Sequence, residues 1–238
     1  MVTTNKNIFL RIEYDGSDFA GWQRQAKLPT IQAVIEDILT EVHDHRVVVY
    51  GSGRTDSGVH AKGQIATFWS DFDLLPEKWA SVLNFSLPKS VRVLESREVP
   101  KEFNPQKNIV AKVYEYRVLN RAQNSALDLR TFFMPRKIDW DRVREALPYF
   151  EGEKDFKASQ GAKSSVKSTL RRVDKFDLVD EGEGFYRFRV VGGGFLKQMV
   201  RTMVGTALEV GEGRLEAKDI PAIFESRDRR KAGPTVPA

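Results

Sequence analysis

The stretch Gly51-Ser-Gly-Arg-Thr-Asp-Ser-Gly-Val-His60 joins two apolar runs, residues 47–50 and 59–69, that both read as strands. Glycines at 51, 53 and 58 let the backbone take positive φ and approach a ligand closely. The spacing does not fit the usual nucleotide fingerprints. A GxGxxG pattern would need glycine where Asp56 stands, and no Gly-Lys-Ser/Thr follows for a P-loop. Arg54 and Asp56 are two residues apart, so in an extended segment they project to the same side. A glycine-flanked carboxylate beside an arginine suits a nucleophile or an acid/base group. An ordinary surface turn with a local ion pair gives the same pattern, and spacing alone favours that second reading.

Working outward, residues 8–14 (IFLRIEY) alternate apolar and polar side chains as a half-buried strand does, and stop at the turn signal Asp15-Gly16. Pro29-Thr30 opens a helix that carries Ile31, Val34, Ile35, Ile38, Leu39 and Val42 on one face. A helix near 77–83 and a strand over 91–99 follow. A second half begins near Lys101, with a strand over 110–119 and a helix over 139–149 for which Asp139 is the expected N-cap. Residues 157–168 read as a mobile basic loop. Residues 172–179 and 185–191 pair as strands, and Gly192 to Gly194 break the chain before a helix over 195–210 and a last one near 217–224. Hairpin-like and helix-crossed connections are mixed, which favours an α+β fold over a doubly wound sheet.

Composition sets the outer limits. The 238 residues carry 38 Lys and Arg against 33 Asp and Glu, a formal charge of +5 that leans towards a polyanionic partner. The absence of cysteine excludes disulfides, thiol nucleophiles and Cys-based zinc or iron–sulfur sites. No apolar run approaches the ~20 residues that span a bilayer, so no membrane partner is expected. The first seven residues lack the apolar segment of a signal peptide, which makes the cytoplasm the expected location.

Two further segments carry polar chemistry. Residues 14–25 (YDGSDFAGWQRQ) interleave aromatic, basic and amide groups that could stack on bases, although Phe19 and Trp22 read better as plugs of the core edge. Residues 194–201 place a helix start after a glycine run, where free amides could receive a phosphate; Phe195, Met199 and Met203 equally give it an apolar buried face. His43 and His45 end a helix, and His60 follows the glycine loop. None has a second ligand at metal spacing, so no metal is assigned.

Together these segments resemble the tRNA pseudouridine synthase A (TruA) family, in order and across nearly the whole chain. The matching pieces are residues 14–25, 31–39 (IQAVIEDIL), 53–68 (GRTDSGVHAKGQIATF), 111–120 (AKVYEYRVLN), 152–156 (GEKDF) and 195–213 (FLKQMVRTMVGTALEVGEG). The resemblance replaces the bland reading of Asp56. It implies two similar α+β halves, residues 1–103 and 104–238, whose mostly antiparallel sheets join across a central RNA-binding cleft, usually as a homodimer. It also implies isomerisation of uridine to pseudouridine in the tRNA anticodon arm at positions 38, 39 and 40, with no metal, nucleotide or other cofactor. Under it Asp56 is the nucleophile, Arg54 helps hold the flipped nucleotide, Tyr114 packs on the target base and Arg201 pairs with the catalytic carboxylate. Arg24, Gln25, Lys62, Lys163 and Lys167 are the remaining expected RNA contacts. The alternatives are a synthase of the same superfamily acting on other tRNA positions or other RNA, or an inactive RNA-binding relative. Departures from the family pattern stand at Asn104-Pro105-Gln106, where His-Ala-Arg is common, and at Gln198, where histidine is common. The usual closing strand after an Ala-x-Pro-like segment is also not matched, which bears on edge and dimer contacts.

Overall fold

The computed structural model describes residues 5–162 and 166–238, so Lys163 and its expected RNA contact lie outside the described residues. The chain divides into two compact units, Met1–Ile109 with Ala238, and Val110–Pro237. Residues 104–109 therefore go with the first unit.

In the first unit β1 (Lys6–Tyr14), α1 (Ile31–His43), β2 (Tyr50–Gly51), β3 (Ala61–Ser70), α2 (Trp79–Ser86) and β4 (Val91–Val99) form a four-stranded antiparallel sheet in the order β2-β3-β1-β4 with two helices. Ile8, Leu10 and Ile12 alternate along β1 into a core shared with Ile31, Ile35 and Leu39 of α1 and Trp79 and Leu83 of α2. Helix α1 starts where Thr30 accepts a hydrogen bond from the Ala33 amide at 3.3 Å. Its buried stripe differs from the apolar one. Gln32, Glu36 and His43 are buried, whereas Val34, Ile38 and Val42 are only partly so. Polar partners inside the unit make that rotation tolerable, as described below. Residues 47–49 are not the expected strand; Val47 and Val49 are buried, yet only Tyr50 and Gly51 join the sheet ladder. An apolar run reports burial, not pairing.

In the second unit β5 (Lys112–Leu119), β6 (Phe132–Phe133), α3 (Trp140–Ala146), β7 (Gly152–Asp155), β8 (Leu170–Gly182), β9 (Phe185–Gly192), α4 (Met199–Gly211) and α5 (Ile220–Ser226) form a five-stranded sheet ordered β6-β5-β9-β8-β7, with helices. All its pairings are antiparallel except β5 with β6. The fold class is thus α+β, with two mostly antiparallel sheets. Asp139 caps α3 through the amides of Asp141 and Arg142, and a 3-10 turn over Leu147–Phe150, containing Pro148, ends it earlier than the sequence suggests. Helix α4 begins at Met199 and not at Phe195, because Gln198 sits in the left-handed region at φ 59°. A helical run cannot pass through that conformation, so the expected phosphate-receiving helix start at 194–195 is not there. The expected loop 157–168 opens instead with a 3-10 turn, Phe156–Ser159, whose Phe156 and Ala158 are fully buried. Among the described residues no helix is long and apolar enough to cross a membrane.

Candidate active site

The loop carrying Arg54 and Asp56 is held by its backbone. Ser52 donates from its amide to Ile65 O (2.8 Å) and from its hydroxyl to Gln64 Oε1 (3.0 Å), and Gln64 Nε2 returns to Gly53 O. On the other side the Trp22 amide donates to Thr55 O (3.2 Å), Tyr14 and Thr55 join through their hydroxyls at 2.9 Å, and Ser57 Oγ donates to Phe19 O (3.2 Å). Gly58 turns the chain at φ 80° while the Val59 amide donates to Asp56 O. At Gly21, φ is 95° and an added Cβ would stand 2.5 Å from Thr55 O, so only glycine permits this approach. Phe19 and Trp22 are buried core plugs. Asp56 is half-buried and Arg54 exposed. Among the described residues Arg54 makes no ion pair, with Asp56 or any other group, and the local pair that the bland reading required does not form.

Arg24 is placed differently. Its Nε donates to Glu36 Oε2 and its Nη2 to Asp37 Oδ1, both at 2.6 Å, and Nη2 also reaches Ala33 O (2.9 Å). Burial works against this charge, but the bonds to Asp37 and Glu36 outweigh it and raise the guanidinium above its usual range. Glu36 Oε1 accepts from the Val49 amide (3.0 Å) and from Gln32 Nε2 (2.9 Å). Gln32 Nε2 also donates to Val49 O, and its Oε1 accepts from Gln23 Nε2 and the Arg24 amide. All four hydrogen-bonding positions of the Gln32 amide are therefore used. The network ties residues 23–24, α1 and Val49 together, two residues before Gly51. It gives Arg24 a bracing role that the sequence reading, which assigned it to RNA, did not contain. The hydrophobic pattern of α1 hides it, since Gln32 and Glu36 look like solvent positions.

A cavity of about 230 Å³ opens beside this network, lined among others by Trp22, Gln32, Tyr50, Arg54 and Gln106. Gln106 belongs to the departure from the family pattern at 104–106. There Asn104 Oδ1 accepts from the Gln106 amide (2.8 Å), and Asn104 O accepts from Lys107 and Asn108. Gln25 Nε2 donates to Ala20 O within its own loop, and Lys62 and Lys167 are exposed.

The other expected catalytic residues are in the second unit. Tyr114 of β5 is half-buried, its ring edge-on to Phe195 with centroids 5.1 Å apart. Tyr116 follows on the same face; its hydroxyl donates to Pro237 O at 2.9 Å, and burial pushes its phenol up, opposed by the charge of Arg201. Arg201 stands on the first turn of α4 and donates from Nε to Val236 O at 2.7 Å. Residues 233–237 run against α4: the Gly233 amide donates to Thr206 Oγ1 (2.9 Å), Thr235 meets Thr202 (3.1 Å) and Arg229 holds Gly233 O and Thr235 Oγ1. This strap on Arg201 was not read from the sequence, where Gly-Pro-Thr-Val-Pro looks like a terminal coil. Gln198, the other departure, packs its amide against Gly161, in the space a Cβ there would take. His43 is a core residue, bonded to Leu39 O and Ser70 Oγ and stacked on Trp79.

The family model described as tRNA pseudouridine synthase matches residues 11–106 and 146–238. A tRNA pseudouridine synthase A from Clostridium acetobutylicum is 41% identical over 98% of this chain and 96% of its own length. Proteins of the same name from Caldicellulosiruptor bescii and Geobacter sp. (strain M21) are each 40% identical over 98% of this chain, covering 95% and 94% of their own lengths. The chain belongs to the tRNA pseudouridine synthase family.

Proposed function

We propose that the chain isomerises uridine to pseudouridine in the tRNA anticodon arm, at positions 38, 39 and 40, as a cytoplasmic homodimer that uses no metal or organic cofactor. The observation that carries this reading is the loop 51–58, in which a dense set of backbone bonds presents a half-buried Asp56 and an exposed Arg54 that pairs with no acid among the described residues. Family membership supplies the reaction. The N1–C1′ bond breaks, the uracil turns and a C5–C1′ bond forms, while the C5 proton leaves and N1 regains one. No atom is gained or lost overall. The base must leave the stack before any group can reach it.

Asp56 acts as the nucleophile, which requires its ionised form, and Arg201 is the cation that the resemblance assigns to that carboxylate. Tyr114 offers an aromatic face for the base and a hydroxyl for proton transfer. Arg54 braces the space left by the flipped nucleotide, and Lys62 and Lys167 contact backbone phosphates, which position RNA without reading its sequence. The test is to incubate the protein with unmodified tRNA transcripts and map pseudouridine by chemical labelling. Label at positions 38, 39 and 40 supports the reading. Label elsewhere in tRNA, or in another RNA only, moves the substrate; no label removes the activity.

A further inference from the structure

Lys112 opens β5, two residues before Tyr114, and the alternation of the strand puts Lys112, Tyr114 and Tyr116 on one face. Its register partner on β9 is Gly192, the first of three glycines. A side chain added at Gly193 or Gly194 would meet nothing within 4 Å, so the space beyond the strand end is open. Lys112 is half-buried, and among the described residues no carboxylate pairs with it. On its other side Gly192 pairs with Val173 of β8, so Arg171 lies two residues along that strand and is the charge that weighs on Lys112; among the described residues the Arg171 Nη1 donates to the carbonyls of Ser168 (3.1 Å) and Leu170 (2.6 Å) and to no acid. Burial first, and Arg171 second, push the Lys112 ammonium below its usual range.

Two half-buried cations, neither paired with an acid among the described residues, disfavour each other and the folded unit. A lysine that merely covers apolar surface would extend its ammonium into water, away from a like charge. An anion seated between them removes both penalties. We infer that Lys112 and Arg171, beside the open glycine run, bind a phosphodiester of the RNA, the one flanking the uridine that packs on Tyr114. The inference rests on the proposed role of Tyr114 for the identity of that nucleotide, but not for the presence of an anion site. It adds a phosphate contact at the strand end, separate from those of Lys62 and Lys167.

The experiment measures tRNA affinity against salt for the wild type, Lys112→Met, Lys112→Arg and Arg171→Gln. Methionine keeps an unbranched stem of similar length and removes the charge. Losing one phosphate contact should flatten the salt slope by about 0.7–0.9. Between roughly 50 and 200 mM salt, the wild type should thus lose about threefold more affinity than Lys112→Met. Lys112→Arg should keep the wild-type slope. A tRNA with a neutral methylphosphonate flanking the target uridine should bind the wild type more weakly but cost Lys112→Met nothing further. An unchanged slope in Lys112→Met, or an equal methylphosphonate penalty in both proteins, would overturn the assignment. If Lys112→Met fails to fold, Arg171→Gln is read by the same two criteria, and its unchanged slope and penalty count equally against the site. Failure of the wild type to form pseudouridine would remove the proposed function while leaving the salt measurement decisive for the anion site.

Discussion

Two loops of the first unit each carry an arginine near a carboxylate, and they use it in opposite ways. In residues 20–36 the charges of Arg24 and Glu36 are answered inside the protein: Arg24 by Glu36 and Asp37, Glu36 also by Gln32 and the Val49 amide. In residues 51–58 the backbone is held by main-chain bonds and by the neutral side chains of Tyr14, Ser57 and Gln64, while among the described residues Arg54 has no acid. Both loops are ordered, so order does not distinguish them. The difference lies in what the ordering bonds consume. A loop that spends its arginine on its own carboxylates is scaffold; one held by neutral groups keeps its arginine for something else.

That contrast can be broken or sharpened by substitution. The largest expected effect is at Asp56: Asp56→Asn should lower single-turnover pseudouridine formation by roughly 10⁴-fold, as loss of a catalytic nucleophile does, with tRNA affinity retained. Tyr114→Phe keeps the ring and loses the hydroxyl, so turnover should fall by on the order of 10²-fold while tRNA binding is preserved. Full activity in the Phe variant would make Tyr114 a stacking platform only. Glu36→Gln removes a buried charge and leaves Arg24 and the Val49 amide less well answered. It should cost about 2 kcal/mol, seen as a fall of roughly 4–8 °C in melting temperature. The smallest effects are on binding. Lys167→Ala should flatten the salt dependence of tRNA affinity by about 0.7–0.9, whereas Arg54→Ala should leave that slope unchanged and reduce turnover, because its task is to hold space and not phosphate.

Much of this contrast was legible in the sequence, though unevenly. The alternation of residues 8–14 and the glycine spacing of 51–58 report the strand and the tight loop directly, because each depends on neighbours in sequence. The N-caps at Thr30 and Asp139 are local for the same reason. The network of Gln32, Glu36 and Arg24 was hidden, since burial of polar groups depends on partners up to 17 residues away, as between Gln32 and Val49. The strap over Arg201 was hidden further, because Val236 and Arg201 meet across 35 residues without any apolar pattern. The early start predicted for α4 failed for a local reason of another kind: Gln198 adopts a left-handed conformation that side-chain periodicity does not encode.

The most direct test of the central distinction is to measure melting temperature and tritium release from 5-tritiated uridine in tRNA on the same samples of Asp56→Asn and Glu36→Gln. Asp56→Asn should melt with the wild type and release no tritium above background. Glu36→Gln should melt several degrees lower, by the same roughly 2 kcal/mol, and release tritium at nearly the wild-type rate at temperatures where it is folded. Tritium release by a folded Asp56→Asn protein near the wild-type rate would contradict the account, since the charge in the 51–58 loop would then not be the one that does the chemistry.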